Sequence, residues 1–201
     1  MAIRELLLLG VVRDGGPRLR ERILQIDAAF ERFDTRHWLV VESDSRDDTL
    51  AVLEGMARER RNLRVMSLGT LARDIPERTA RIARARNAAL AKLRRESVYD
   101  GVGFVAIADL DGVNDELRAA AVDSCFLPGV PDWDVVTANQ RGRYYDIWAL
   151  RHPVWSPNDC WAQYRFLRAH GRSKTAASFA AVYARMVTLP VGSSWIEVDS
   201  A

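Results

Sequence analysis

The chain has 201 residues, 48% of them hydrophobic and 28% charged, and its 29 basic against 27 acidic side chains leave a formal charge of +2. This is ordinary globular usage rather than that of a disordered or coiled-coil chain, and the charge is too small to imply a nucleic-acid partner or a membrane surface by itself. Cys125 and Cys160 are too few for a disulfide scaffold and sit in no Cys-x-x-Cys pair, so they read as reduced core thiols of a cytoplasmic protein.

In chain order, the run Leu6–Val12 is apolar apart from Gly10, has no small-residue cleavage site and is too short to span a bilayer; it predicts a buried strand. Helical patterns over Arg18–Phe33, Asp47–Arg60, Glu77–Arg95 and Asn114–Phe126 alternate with short apolar runs at His37–Glu42, Leu63–Ser67, Phe104–Ala108 and Asp134–Asn139. That alternation predicts a single α/β domain built on a mostly parallel sheet with helices on both faces. Residues 1–140 would form its ligand-binding half. Residues 141–201, with the aromatic-rich stretch Tyr144–Pro153 and helical patterns near Asp159–Ala169 and Thr175–Met186, would form a second part of the same domain.

In such sheets ligands bind beyond the carboxyl ends of the strands. Three predicted strands end in polar mouths: Arg13-Asp14-Gly15-Gly16, Glu42-Ser43-Asp44-Ser45 and Asp109-Leu110-Asp111-Gly112. Asp109 and Asp111 lie two apart in an extended segment and so point to one side. Two adjacent carboxylates repel unless a cation compensates them, and hard oxygen donors of this kind suit Mg²⁺ or Mn²⁺ shared with phosphates. The bland alternative is a pair of solvated loop aspartates. A calcium loop is excluded, because the glycine comes too early and Ala120 stands where a bidentate glutamate belongs.

Asp47 or Asp48 suits a helix-capping role ahead of the second helix, whereas Glu42 or Asp44, at a strand end, is placed to accept hydrogen bonds from a ribose or a base. The helix Glu77–Arg95 carries arginines at 78, 81, 84, 86, 94 and 95, mostly a solvated face. At about 100° per residue, Arg86 falls in the sector of Ile82, Ala89, Leu90 and Leu93, with Arg78 near it. A guanidinium on a buried face requires an anionic partner, either an internal carboxylate or the phosphates of a ligand. His152 before Pro153 suits a metal or a phosphate, although a lone histidine is more often structural, and Tyr144, Tyr145, Trp148 and Trp155 suit stacking on a sugar or plain packing. Asp146, Glu197 and Asp199 are further acids in aromatic or apolar company.

Taken together, the segments Val40–Thr49, Ala85–Leu90, Ala108–Gly112, Ala138–Gln140 and Tyr144–Arg151 resemble GT-A glycosyltransferases, in particular the capsule-associated α-1,3-mannosyltransferase group and its bacterial relatives. The motifs are individually loose, but their order and spacing cover most of the chain. The resemblance implies a GT-A, Rossmann-like fold and transfer of a sugar from a nucleoside diphosphate sugar, GDP-mannose among the candidates, to a glycan or lipid-linked acceptor. It implies donor contacts from Arg13, Glu42, Asp44, Arg78, Arg86 and Asp109, and a Mn²⁺ or Mg²⁺ held by Asp109 and Asp111. Sugar and acceptor would lie toward Tyr144–Arg151 and Trp195–Asp199, with Glu197 and Asp199 as candidate catalytic carboxylates. A lipid-linked acceptor would put the protein at the inner membrane surface as a peripheral partner. Similar proteins continue into a Phe-Gly-Gly run where this sequence stops at Ala201, so the acceptor side is expected to be incomplete. Two other readings remain: a nucleotidyltransferase or phosphotransferase, for which Arg13–Pro17 is a poor phosphate loop, and a non-catalytic nucleotide- or sugar-binding module.

Overall fold

The computed structural model describes residues 5–137 and 158–183. Elements alternate along the first of these: β1 (Glu5–Val12), α1 (Leu19–Ala29), β2 (Thr35–Glu42), α2 (Thr49–Glu59), β3 (Leu63–Ser67), α3 (Arg78–Leu93), β4 (Phe104–Asp109) and α4 (Ala119–Ser124). The strands form one parallel sheet in the order β3-β2-β1-β4. The α/β class and the parallel sheet are thus as the alternating pattern predicts.

β1 explains the arrangement. Leu6, Leu7, Leu8 and Leu9 are all buried, so both faces of this strand are covered, as a continuous apolar run in a parallel sheet requires. Leu6 and Leu8 pack with Leu19, Ile23 and Ile26 of α1 and Leu53 and Met56 of α2. Leu7 and Leu9 share the opposite face with Leu39, Val41 and the small residues Ala85 and Ala89 of α3. Each buried leucine contributes about 1.5–3 kcal/mol relative to exposure. Right-handed crossovers put α1 and α2 on one face, and the chain then returns past β1 through α3 to reach β4. The sheet therefore reverses its strand order between β1 and β4, which is where parallel sheets open a crevice.

Three expectations change. The helix predicted over Asn114–Phe126 begins only at Ala119, because residues 112–117 turn instead: Asp115 N donates to Gly112 O and Leu117 N to Asn114 O. Residues 134–137, predicted to start a fifth strand, are irregular, and Val135 and Val136 are exposed; their β preference comes from cross-strand packing that these residues lack. The remainder of that strand, residues 138 and 139, lies outside the described residues. The last predicted helix is α6 (Lys174–Ser178) followed by a π turn over Phe179–Tyr183.

The chain divides into two compact units between Trp133 and Asp134. In the second, α5 (Cys160–Ala169) opens on Asp159, whose carboxylate accepts from the amides of Trp161 and Ala162, and α6 opens on Ser173, which accepts from Ala176 N. Cys160, Ala177 and Ala181 are buried, and Cys125 is a free thiol. Among the described residues, no helix is long and apolar enough to cross a membrane.

Candidate functional site

A cleft of about 320 Å³ opens at the carboxyl ends of β1 and β4, at the point where the strand order reverses. Its size is at the lower end of small-molecule sites. It gathers Arg13 and Asp14 after β1, Asp44 after β2, Arg78, Arg81 and Arg86 of α3, Arg22 of α1, and Asp109 and Asp111 around the end of β4. Of the sequence-predicted residues, Arg13, Asp44, Arg78, Arg86, Asp109 and Asp111 are therefore brought together. Glu42 does not line the cleft. Glu197 and Asp199, like Tyr144–Arg151, His152 and Trp155, lie outside the described residues.

The acidic pair is held by its surroundings rather than by its own sequence. Leu110, between the two aspartates, is 2% exposed and packs down over β1, which turns Asp109 and Asp111 outward. Asp111 Oδ1 accepts from Val113 N at 3.2 Å, and Asn114 Nδ2 donates to the Asp109 carbonyl, so the turn after β4 is internally bonded. Gly112 has φ +106°, a backbone conformation that favours glycine, and a Cβ there would press on the Arg22 guanidinium at 3.1 Å. α1 then fastens this turn from outside. Arg18 Nη1 donates to Asp115 Oδ2 at 3.1 Å, Gln25 donates to the Asp115 carbonyl, and Arg22 Nε faces Asp115 Oδ1 at 3.4 Å while its Nη1 donates to Gly15 O. Residues 18, 22 and 25 share one helical face by their spacing.

The β1 mouth is fastened to the β2 mouth. Gly15 N donates to Thr49 Oγ1 at 2.7 Å, Gly16 N to Asp47 Oδ2 at 3.0 Å and Asp14 N to Ser45 Oγ at 3.1 Å, while Asp14 Oδ1 accepts from Arg46 N at 2.7 Å. Asp14 adopts φ +49° and Asp44 φ +62°, left-handed conformations that aspartate tolerates better than most residues. The helix cap expected of Asp47 or Asp48 is not formed as such: Asp48, the N-cap residue of α2, makes no side-chain cap bond, and Asp47 before it accepts from the amide and hydroxyl of Thr49. The Thr49 hydroxyl, helped by the Thr49 and Gly16 amides and opposed by lost solvation, holds the Asp47 carboxyl below the ordinary aspartate range.

The two acids assigned to ribose or base both have partners within the chain. Glu42 is 3% exposed and accepts from Ser45 N at 3.1 Å and Ser67 Oγ at 2.7 Å, tying β2 to β3. Asp44 accepts from Ala72 N at 2.7 Å and faces Arg81 Nε at 3.4 Å, with side chains 5% and 12% exposed. Arg81 also donates to the carbonyls of Ile75 and Pro76.

Arg81 is thus the sheltered arginine of α3, and the expected burial of Arg86 is corrected. The buried positions of α3 are Ala85 and Ala89, and the Arg86 side chain is 45% exposed at the cleft rim. The apolar residues Ile82, Leu90 and Leu93 are only partly buried, so the small alanines, not the larger residues, set the phase of the packed face. Arg86 Nη2 faces Asp109 Oδ1 at 3.5 Å. Arg78 has no hydrogen-bond or ion-pair partner among the described residues.

Asp109 and Asp111 both line the cleft, and among the described residues no group of three or more His, Cys, Asp or Glu side chains that could hold a metal is gathered. Mg²⁺ held by one or two carboxylates completes its shell with phosphate oxygens and water. Arg22 and Arg81 were missed from the sequence; the 18/22/25 spacing on α1 was legible, but not what that face meets. A scan against protein-family models and a search of curated proteins each returned no match for this chain.

Proposed function

We propose that the chain is a metal-dependent glycosyltransferase that binds a nucleoside diphosphate sugar, with GDP-mannose among the donors to try first, and transfers its sugar to a glycan or lipid-linked acceptor. The observation that carries this reading is that Asp109 and Asp111 line one cleft with Arg78 and Arg86 at the strand-order reversal. A carboxylate pair beside arginines suits a ligand that bears both a cation and two phosphates.

Arg78 and Arg86 would hold the diphosphate through charge-assisted hydrogen bonds, with Arg13 at the same mouth. Asp109 and Asp111 would hold a Mg²⁺ or Mn²⁺, which neutralises charge developing on the departing nucleoside diphosphate. Fixing diphosphate and sugar in one orientation lowers the entropic part of the barrier. Glu197 and Asp199 remain the candidates for catalytic carboxylates, one of them as the base if the reaction inverts.

The state of the β1 loop argues against nucleotidyl or phosphoryl transfer. Such enzymes cradle phosphates on loop amides, but here the amides of Gly15 and Gly16 are already spent on Thr49 and Asp47. Phosphate recognition is left to arginine side chains.

The test is a thermal-shift panel of the full chain with ADP, GDP, UDP and their sugar conjugates, with and without Mn²⁺. Stabilisation should require Mn²⁺ and disappear in Asp111→Asn, since ligand binding raises stability with concentration over Kd. A panel in which that substitution changes nothing would remove the metal role. Radiolabelled donor then separates the classes by product: glycoside for transfer, nucleotidyl ester for the competing chemistry, and neither for a binding module.

A further inference from the structure

We propose that Arg86 competes with the divalent cation for Asp109, and exchanges that carboxylate for the diphosphate when metal and donor bind together. The inference rests on the metal–diphosphate reading of the cleft and adds to it an order of contacts and a coupling between the two ligands.

The arginines around the cleft are not equivalent. Arg22 is tied to Gly15 O and Asp115, and Arg81 to Asp44, Ile75 O and Pro76 O. Both are largely sheltered, with 18% and 12% of the side chain exposed. Arg13 is paired with its neighbour Asp14. Arg78 has no partner among the described residues, and the only partner of the Arg86 guanidinium among them is Asp109. That contact, 3.5 Å long with 45% and 59% of the two side chains exposed, is well beyond the length of about 2.7–2.9 Å of a strong charge-assisted bond. It is a pair held loosely enough to be exchanged.

Charge favours the exchange. A guanidinium beside Asp109 repels a dication that approaches the same carboxylate. It has no accessible neutral form, so the repulsion is relieved only when the side chain moves aside. Residues 78, 82 and 86 follow one another by single turns of α3 and all line the cleft, so the displaced Arg86 remains on the same wall as Arg78. A diphosphate that bridges the metal and that wall takes up the released cationic group. Binding of the cation then assists binding of the diphosphate, and by reciprocity the diphosphate assists the cation.

Isothermal titration of the full chain tests this, with Mn²⁺ alone and then with ADP, GDP or UDP in saturating Mn²⁺, for the native chain, Arg86→Gln, Arg86→Lys and Asp109→Asn. Melting temperatures confirm that each variant is folded. Arg86→Gln should bind Mn²⁺ alone about two- to fivefold more tightly, the range for losing an exposed pair. It should bind the diphosphate about tenfold more weakly, as expected for losing a charged donor. Arg86→Lys should stay near the native values. Unchanged or weaker Mn²⁺ binding in Arg86→Gln, with Asp109→Asn still abolishing it, overturns the competition and leaves the metal site standing. Tighter Mn²⁺ binding with unchanged diphosphate affinity overturns the exchange. Full Mn²⁺ binding by Asp109→Asn, or no Mn²⁺-dependent diphosphate binding by the native chain, overturns the metal reading and this proposal with it.

Discussion

Leu110 closes over Gly10 of the neighbouring strand so tightly that a methyl group at Gly10 would lie 2.7 Å from Leu110 Cδ1. The apolar residue between the two cleft aspartates is thus seated in a gap that glycine leaves in the central strand. Gly10→Ala should destabilise the protein by about 1–3 kcal/mol through overpacking. Because Leu110 is bonded to both Asp109 and Asp111, its displacement should also weaken Mn²⁺-dependent nucleotide stabilisation. Chemical denaturation of Gly10→Ala, Leu110→Val and the double variant measures this: the double variant should be more stable than the sum of the single effects allows, whereas strict additivity would show that the two side chains are not in conflict.

Thr49 is fully buried, and its hydroxyl joins the β1 mouth to α2 by accepting from Gly15 N and donating to Asp47. Thr49→Val keeps the shape and removes both bonds, leaving the Gly15 amide unsatisfied. The expected cost is about 1–3 kcal/mol, read from urea unfolding. A neutral effect would mean that the loop finds another acceptor.

The depressed Asp47 carboxyl gives a pH dependence with a fixed sign. A group whose folded pKa lies below its unfolded value contributes stability above the unfolded value, near pH 4, and loses it as the pH falls through the folded one. The native chain should therefore lose more stability than Asp47→Asn on going from pH 5 to pH 2.5. Parallel stability curves for the two proteins across that interval would assign the acid sensitivity to other carboxylates.

Arg78 has no structural partner among the described residues, so its removal should separate binding from folding. Arg78→Ala should leave the melting temperature of the ligand-free protein within about 1–2 °C of native, as a surface change does. It should weaken Mn²⁺-dependent nucleoside diphosphate binding by about tenfold. A fall in melting temperature comparable to that of Thr49→Val would make Arg78 a structural residue instead.

The strands were legible because burial on both faces writes itself locally. Leu6–Val12 could be apolar throughout only as the centre of a covered sheet, and Leu63–Ser67 has the same bounds in the sequence reading and in the structure. Helix ends and phases were less so. The helix predicted from Asn114 starts at Ala119 because Arg18, Arg22 and Gln25 hold Asp115 in a turn, and those residues stand at least 90 positions away in the chain. Arg86 was assigned to a buried face by a sector drawn through Ile82, Ala89, Leu90 and Leu93, whereas the fully buried positions are Ala85 and Ala89, where a small side chain lets the helix approach the sheet.

What the sequence determined by itself was the position of the four strands of the sheet, that they lie parallel, and that three polar mouths stand at their ends, since these depend on periodicity and residue type within a few positions. Only the tertiary structure decided which polar groups are available to a ligand. Glu42, Asp44, Asp47 and Arg81 have the same composition-level credentials as Asp109, Asp111, Arg78 and Arg86. The first four are engaged by groups such as Ser67, Ala72 and Gly16 that meet them only after folding; for the sheltered Glu42, Asp44 and Arg81 this is because a polar group removed from water is stable only when partnered.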